Sequence, residues 1–144
     1  MPKPGQRVVF ICSGNICRSP LAEYYARSLG LKADSCGLDC GVGFPADPRA
    51  FEFGKTLGLD LSVHETKRVD QFDFLPDDLI VVMEPKHLKK FQQQVSNQHK
   101  IILAGLFCPD PLPYLHDPYN CNLHFFHHCE ECVISSVRRL CGRQ

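Results

Sequence analysis

Short apolar runs alternate with stretches of helical periodicity along this chain, and this alternation most restricts its fold. Turn-forming or polar residues bound each run, as is typical of strands buried on both faces of a parallel sheet. Strands that alternate with helices predict right-handed crossover connections. The predicted fold class is therefore α/β, a three-layer α/β/α sandwich around a small, mostly parallel sheet. The candidate strands are Arg7 to Cys12, Lys32 to Cys36, Leu79 to Met83 and Lys100 to Ala104.

Helices are predicted between and after these strands. The pair Ser19-Pro20 is a helix start signal, with Ser19 as the N-cap. The pair Asp47-Pro48 repeats this signal, and glycines follow the ends of both helical patterns. The last helix carries apolar residues at helical spacing, which predicts one buried face. The four predicted helices run from Ser19 to Gly30, from Asp47 to Gly58, from Pro85 to Gln94 and from Asn122 to Cys141.

The length and charge of the chain limit the kinds of protein that it can be. Its 144 residues, without internal repeats or a linker, predict one domain over residues 1–144. Sixteen Lys and Arg balance sixteen Asp and Glu, which excludes the strongly basic surface of a general nucleic-acid or anionic-membrane binder. The first apolar run, Val8 to Cys12, is too short for a signal peptide or a membrane span. A cytoplasmic protein is expected.

The chain has nine cysteines, a high and odd number. An odd count argues against a closed disulfide framework, so most of these thiols are expected to be free. The run His124, His127, His128, Cys129 and Cys132 contains residue types that bind zinc. On a helix, however, this spacing points the histidines and cysteines in different directions. We therefore expect no metal, with the two cysteines on the apolar face of the helix.

The segment from Cys12 to Pro20, CSGNICRSP, lies between the first strand and the first helix. A loop that enters a helix aims unpaired backbone N–H groups at one point and binds anions there. Gly14 can relax its φ angle and Asn15 tolerates the left-handed region, so the loop can curl around an anion. Arg18 adds a fork of donors for phosphate oxygens, and the same field stabilises a Cys12 thiolate. The loop predicts a nucleophile beside a bound oxyanion.

The stretch from Val8 to Arg27, VVFICSGNICRSPLAEYYAR, resembles the signature of the low-molecular-weight protein tyrosine phosphatases, whose loop reads C-x-G-N-x-C-R-S-P. This resemblance covers essentially the whole chain, in family order. It implies a four-stranded parallel sheet, of flavodoxin-like or Rossmann-like topology, and a two-step phosphatase reaction through phosphocysteine, with no cofactor or metal. The further motifs are ADS at Ala33 to Ser35, PADPRA at Pro45 to Ala50, LGLDLSVHETKRV at Leu57 to Val69, LIVVME at Leu79 to Glu84 and HDPYN at His116 to Asn120.

The resemblance also implies roles for individual residues. Cys12 attacks phosphorus while Arg18 and the loop amides stabilise the charge on the phosphate oxygens. Asp117 matches the general acid, which then serves as the base for hydrolysis of phosphocysteine. On its own, Asp117-Pro118 would be no more than a common turn pair. The phosphate-binding loop would consist of Ser13, Gly14, Asn15, Ile16, Cys17 and Arg18.

Other matches have supporting roles. Ser19 would donate a hydrogen bond to the Cys12 thiolate, a role compatible with that of an N-cap. Cys17 matches the second loop cysteine, which can pair reversibly with Cys12 and so prevent irreversible oxidation. Cys17 could equally serve only as a small residue that contributes its backbone amide. The residues that match the family's loop-holding hydrogen-bond network are Asn15, Ser35 and His64.

The chain departs from the family pattern around the substrate cleft. An aromatic residue is common before PADPRA, where this chain has Asp39 to Val42, with Phe44 close by. Glu84 stands where Asp is frequent, and Tyr119 is followed by Asn120 in place of a second aromatic residue. Phe44 and Tyr119 are the candidate cleft residues, and these departures leave the substrate preference open.

The predicted partners are phosphotyrosine-containing proteins, with inorganic phosphate and vanadate as inhibitors of a monomeric enzyme that needs neither nucleic acid nor membrane. Two other activities use the same fold, protein arginine dephosphorylation and thiol-dependent arsenate reduction. Ile16 stands where arginine phosphatases have Thr and arsenate reductases usually have Ser. Arsenate reduction also needs two resolving cysteines in mid-chain, and none occurs between Cys40 and Cys108. A non-catalytic phosphoryl-binding module would lack one of the three catalytic candidates, and all three are present.

Overall fold

The computed structural model describes residues 2–95, 98–111 and 115–142, and its centre is a parallel sheet. The strands are β1 (Val8–Cys12), β2 (Ala33–Gly37), β3 (Leu79–Val82) and β4 (Ile101–Leu103). Within the described ranges they form one four-stranded sheet in the order β2-β1-β3-β4, which is a flavodoxin-like order. The predicted four-stranded parallel sheet is confirmed, and the predicted strand limits differ from the observed ones by one residue at most.

Helices cover both faces of this sheet, because successive residues of a strand point to opposite sides. Val8 and Phe10 of β1 face the core formed with three helices, whereas Val9 and Ile11 face a second core that contains Phe91. The helices are α1 (Arg18–Ser28), α2 (Pro48–Thr56), α3 (Pro85–Gln94) and α4 (Leu123–Leu140). The first core includes side chains of α1, α2 and α4, and the second includes those of α3. The predicted three-layer sandwich is therefore confirmed.

The helix starts test the predicted caps. The side chain of Asp47 accepts a hydrogen bond from the Arg49 backbone N–H at 2.8 Å, so the predicted start of α2 is confirmed. The prediction that Ser19 caps α1 is wrong: the helix begins at Arg18, after Cys17, and the part of the chain described here provides no side-chain cap. The Ser19 hydroxyl lies 2.9 Å from the Cys12 sulfur instead. The contact of Ser19 with Cys12, at the end of β1, therefore takes the place of the predicted capping of α1.

Helix α4 has the two faces that its spacing predicts. Cys129 is buried in the core and Cys132 packs against it, while His124 and His128 are exposed. Over residues 2–95, 98–111 and 115–142, no three His, Cys, Asp or Glu side chains meet in a way that could hold a metal ion. In the same ranges, no helix has the length and apolar character needed to cross a membrane.

Glu130 of α4 is an exception to the apolar character of this buried face. Its side chain is fully buried, and neither carboxyl oxygen has a hydrogen-bond partner among the described residues. Burial raises the pKa of this carboxyl well above its ordinary value, although the cations Arg18 and Arg49 oppose the shift. A buried carboxylate without a partner is costly, so the protonated, neutral form of Glu130 is favoured in the folded protein.

We expect Glu130→Gln to flatten the pH dependence of stability. Above the ordinary carboxyl pKa the unfolded chain releases this proton and the folded chain keeps it, so the free energy of unfolding falls as pH rises. Each pKa unit of difference corresponds to about 1.4 kcal/mol. Urea unfolding between pH 4 and pH 7 measures the effect, with the exposed neighbour variant Glu131→Gln as a matched control. An equally steep fall in parent and Glu130→Gln would contradict a protonated Glu130.

Candidate active site

The loop from Ser13 to Arg18 lies at the carboxyl end of β1, near the middle of the sheet, and encloses a pocket of about 230 Å³. Ligands of open α/β sheets bind at this end of the strands. The pocket brings together residues that are far apart in sequence. They are Cys12, Ser13, Gly14, Asn15, Ile16, Cys17, Arg18, Asp39, Asp117 and Tyr119.

The backbone of the loop turns at Asn15, whose φ of 55° lies in the left-handed region. Gly14 does not adopt a left-handed φ, so the expectation that its φ relaxes the loop is wrong. Asn is one of the few side chains that enter this region at low energetic cost. The turn directs the Asn15 backbone N–H toward the Cys12 sulfur at 3.3 Å.

The side chain of Asn15 ties the loop to three other segments. Its amide nitrogen donates to the hydroxyls of Ser19 and Ser35, both at 2.9 Å. Its amide oxygen accepts from the Lys67 backbone N–H at 2.9 Å. The group is fully buried, so every polar atom of this amide has a partner inside the protein. The conformation of the loop is thereby fixed from α1, from β2 and from the segment before Arg68.

His64 supports the same turn from the backbone side. Its Nε2 lies 2.8 Å from the Asn15 carbonyl oxygen, which can only accept, so this nitrogen donates. Burial lowers the pKa of His64, which favours the neutral ring. The structure therefore brings together the three residues that the sequence assigned to one network, Asn15, Ser35 and His64. Ser35 in turn donates to Glu23 Oε1 at 2.6 Å, and this buried carboxylate was not anticipated.

The direction of the hydrogen bonds at Cys12 follows from this network. The Ser19 oxygen accepts from Asn15, so its own proton is free to point at the Cys12 sulfur, 2.9 Å away. Cys12 is buried, and the Asn15 N–H provides a second donor to the same sulfur. Two donors that converge on one sulfur stabilise a thiolate over a thiol.

Arg18 lies across the pocket and is 2% exposed. Its Nη1 donates to Glu84 Oε2 at 3.0 Å and to the Leu115 carbonyl at 2.8 Å. Its Nη2 is 3.6 Å from Asp117 Oδ2. Burial lowers the pKa of Arg18, but the negative charges of Cys12, Asp117 and Glu84 outweigh it, and the pKa is raised. The guanidinium is therefore a permanent buried cation at the pocket.

Asp117 lies on a loop whose position is set by Arg49. The side chain of Asp117 is 47% exposed, and its Oδ1 accepts from the Tyr119 backbone N–H at 3.2 Å. Arg49 donates to the carbonyls of Tyr119 at 2.7 Å and of Cys121 at 3.1 Å. Two hydrogen bonds to the Asp47 carboxylate orient the Arg49 guanidinium, which lies over the Phe126 ring. The sequence did not predict the bonds from Arg49 to Tyr119 and Cys121, although Asp47 and Arg49 belong to the PADPRA motif.

Cys17 lies beside the same aspartate. Its side chain is 4% exposed. Burial raises the pKa of the Cys17 thiol, and the nearby negative charge of Asp47 adds to the shift. All nine cysteines lie in the described ranges, and none of them is in a disulfide bond. Cys17 is therefore a neutral thiol, and its pairing with Cys12 stays a prediction.

Two other residues at the site carried no recognised signal in the sequence. Gly37, at the end of β2, lies so close to the loop that an added Cβ would be 2.7 Å from the Ser13 carbonyl and 3.1 Å from Asn15 Cβ. His87 of α3 places its Nε2 3.1 Å from the Ser13 hydroxyl. A glycine directly after a strand that ends at the loop could have been recognised. His87 could not have been recognised, because it is 74 positions from Ser13 in the sequence and meets the loop only in the folded protein.

The two candidate cleft residues lie at the rim of the pocket. Tyr119 lines the pocket itself and is 54% exposed, and Phe44 is 59% exposed. Phe44 lines an adjoining groove together with Tyr119, Gly14 and Ile16, and its ring packs on Gly41. Two exposed aromatic residues, Phe44 and Tyr119, thus lie near the loop from Ser13 to Arg18.

We expect Asn15→Ala to destabilise the protein by about 2–4 kcal/mol, because it removes three buried hydrogen bonds and places Ala at a left-handed φ. Asn15→Gly loses the same bonds without the strain and should be less destabilised by about 1 kcal/mol. Urea unfolding measures both variants. Asn120→Ala, an exposed loop position, is the control and should stay within about 0.5 kcal/mol of the parent. Parent-like stability of both Asn15 variants would show that the network does not hold the loop.

Known proteins share this sequence and this architecture. The family model of the low molecular weight phosphotyrosine protein phosphatases matches residues 7–143. The pig low molecular weight phosphotyrosine protein phosphatase is 34% identical over 147 residues, which cover 93% of this chain and 90% of the pig protein. The sulphate complex of the Escherichia coli K30 tyrosine phosphatase Wzb superposes with a TM-score of 0.82 at 28% identity, covering 95% of this chain and 96% of that one.

A second solved structure agrees with these. The low molecular weight protein tyrosine phosphatase from T. tengcongensis has a TM-score of 0.82 at 31% identity, and the match covers 94% of this chain and 97% of that chain. The resemblance noted in the sequence is therefore confirmed, both by a family model that spans nearly the whole chain and by the fold. The chain belongs to the low molecular weight phosphotyrosine protein phosphatase family.

Proposed function

We propose that residues 1–144 form one phosphatase domain that hydrolyses phosphotyrosine in proteins, and also simple aryl phosphates, through a phosphocysteine on Cys12. One observation carries this proposal: two donors converge on the Cys12 sulfur, and the pocket around it also contains Arg18 and Asp117. A nucleophile, a fixed cation and an acid of suitable reach are the groups that cleavage of a phosphate monoester needs.

Substrate binding rests on positive potential. The loop leads directly into α1, whose start offers unpaired backbone N–H groups and a helix dipole that favours an anion. The Arg18 guanidinium adds a fixed charge and can offer two donors to phosphoryl oxygens. Sulphate, which is bound in the Escherichia coli Wzb complex, is a tetrahedral oxyanion like phosphate. We therefore expect inorganic phosphate and vanadate to compete with the substrate.

In the first chemical step the Cys12 thiolate attacks phosphorus, and the bond from phosphorus to the aryl oxygen breaks. The electron pair of that bond goes to the leaving oxygen, which takes the Asp117 proton and departs as a phenol. Arg18 and the loop amides stabilise the charge on the three equatorial oxygens. The product of this step is phosphocysteine on Cys12, with Asp117 ionised.

In the second step water attacks the phosphorus of phosphocysteine. Asp117 accepts a proton from this water, and the bond between sulfur and phosphorus breaks to release inorganic phosphate. The Cys12 sulfur leaves as a thiolate, which the Ser19 hydroxyl stabilises by donating a hydrogen bond. No external cofactor or metal is needed in this sequence, because Arg18 and the loop dipoles supply the positive charge.

In this proposal Cys17 protects Cys12 from irreversible oxidation. It is a buried thiol near Asp47, two residues after Asn15 in the same loop. When a peroxide oxidises Cys12 to a sulfenic acid and is itself reduced to water or an alcohol, the Cys17 sulfur attacks the Cys12 sulfur, a disulfide forms and water leaves. A cellular thiol then reduces the disulfide, in the cytoplasm where we propose that the monomeric enzyme acts.

We expect the protein to hydrolyse p-nitrophenyl phosphate and phosphotyrosine peptides without added metal, and Cys12→Ser to abolish this turnover because the hydroxyl is a far weaker nucleophile. Phosphate release measures both, with Cys132→Ser on α4 as the control that keeps full activity. Phosphoarginine and phosphoserine peptides, and arsenate with a thiol, are assayed alongside. Unchanged turnover in Cys12→Ser, or preference for phosphoarginine or arsenate, would contradict the proposal.

We expect Asp117→Ala to lower kcat by about 10²–10⁴-fold for aryl phosphates with poor leaving groups, and much less for good ones. A phenol of low pKa departs as an anion without help, so only poor leaving groups need the acid. The measurement is a kcat series against leaving-group pKa. Asp39→Ala removes the other carboxylate of the pocket and should shift the series without changing its slope. Equal slowing across the series in Asp117→Ala would rule out its acid role.

A further inference from the structure

His87 is a buried residue at the start of α3 for which the proposed chemistry has no use. It is 1% exposed, and its Nε2 lies between two acceptors of the active site. One is the Ser13 hydroxyl oxygen at 3.1 Å, and the other is Glu84 Oε2 at 3.4 Å. Ser13 directly follows the Cys12 nucleophile in the loop, and Glu84 holds Arg18. His87 therefore contacts the two sides of the phosphate site at once.

The proton of the His87 ring can be placed from these contacts. The Glu84 oxygen is a carboxylate that already accepts from Arg18, and it cannot donate. A bare Nε2 would point a lone pair at this negative oxygen, so the proton lies on Nε2. The other ring nitrogen, Nδ1, is buried without a partner in the described ranges, which suits a ring nitrogen that carries no hydrogen.

The charge state of the ring agrees with this assignment. Burial and the neighbouring cation Arg18 lower the pKa of His87 to about 3, against a smaller opposing effect of Asp117. At neutral pH the ring is neutral, with one proton and one bare nitrogen. His87 is therefore a fixed donor rather than a group that exchanges protons during turnover.

A fixed donor at Ser13 determines where the serine proton can go. The Ser13 oxygen accepts from His87 Nε2, so its own hydrogen must point away from the ring. Ser13 lines the pocket beside Cys12 and is only partly buried. A Ser13 hydrogen that points into the pocket can reach the oxygens of a phosphoryl group bound at the Cys12 sulfur.

We propose that His87 is a positioning residue that orients the Ser13 hydroxyl as an additional hydrogen-bond donor to a non-bridging oxygen of the bound phosphoryl group. This inference rests on the proposed function of the same pocket. The backbone amides and Arg18 provide the main donors. The Ser13 hydroxyl adds one more donor, which requires a hydroxyl at position 13 and a hydrogen-bond donor at position 87. The phosphoryl oxyanion, and not the tyrosine ring, is the chemical group recognised.

A mutant cycle between the two positions tests this role with vanadate as the probe. His87→Leu and Ser13→Ala should each weaken vanadate inhibition of p-nitrophenyl phosphate hydrolysis roughly tenfold, the size of one hydrogen bond to a charged group. The double variant should lose the same tenfold, because both changes remove one donor. His87→Gln keeps an amide N–H within reach of Ser13 and should stay within about twofold of the parent.

A matched control separates positioning from packing. His99 is a second histidine whose Nε2 makes a hydrogen bond, to the Leu75 carbonyl, while its Nδ1 has no partner in the described ranges. Its ring contacts Phe74 and Phe91. Because these contacts lie on α3 and the segment before β3, His99→Leu should leave vanadate inhibition unchanged. Thermal unfolding and circular dichroism check each variant. If His87→Leu does not fold, His87→Asn, whose amide is too short to reach Ser13, takes its place with the same expected tenfold loss.

Three results would overturn the inference. They are parent-like inhibition in a folded His87→Leu or His87→Asn, losses at positions 13 and 87 that multiply, and a His87→Gln variant as weak as His87→Leu. Failure of the proposed function is distinguishable, because the parent would then fail to hydrolyse the ester, or Cys12→Ser would hydrolyse it equally well. Vanadate binding to each variant, followed by calorimetry, gives the same comparison without turnover.

Discussion

The active-site loop depends on one side chain, the amide of Asn15. Its backbone adopts a left-handed φ with its N–H directed at the Cys12 sulfur, and its side chain holds that conformation through Ser19, Ser35 and Lys67. Because the amide donates to Ser19, the Ser19 proton is left for Cys12. The Asn15 amide therefore sets both the shape of the loop and the hydrogen bonding of the Cys12 sulfur. Few other residues combine tolerance of this φ with both donors and an acceptor.

Buried ionisable groups surround this loop, in a chain whose formal net charge is zero. Arg18 is buried against Glu84, and the carboxyls of Glu23 and Glu130 are buried close by. Burial raises the pKa of both glutamates, and for Glu23 the hydrogen bond from Ser35 and the charge of Arg27 oppose the shift. Because burial makes both acids harder to ionise, it limits the negative charge that opposes Arg18 near the pocket.

The sequence predicts the architecture because its signals are local. Apolar runs and turn residues define the strands, and Asp47 with Pro48 defines the start of α2. The loop is predicted for the same reason, since its residues are contiguous. Ser19 was assigned to a cap because Ser-Pro is a local start signal, whereas the folded strand end offers its hydroxyl a better partner.

Groups that meet only through the parallel sheet carry no local signal. The fork of Arg49 on the carbonyls of Tyr119 and Cys121 joins segments about seventy residues apart. Glu130 and His87 are likewise unremarkable on their helices, and their burial follows from which face the sheet covers. Asp117 could be assigned a role only through the family resemblance, because Asp-Pro in isolation is a turn pair.

Arg49 has a mechanical consequence for substrate choice. The segment that contains Phe44 and leads into α2 lines the groove beside the pocket together with Tyr119. The Arg49 guanidinium holds the carbonyls of Tyr119 and Cys121 and contacts the Phe126 ring. Arg49 therefore fixes the spacing between these two segments. A ligand that needs a wider groove would have to break the Arg49 hydrogen bonds before it could reach the Cys12 sulfur.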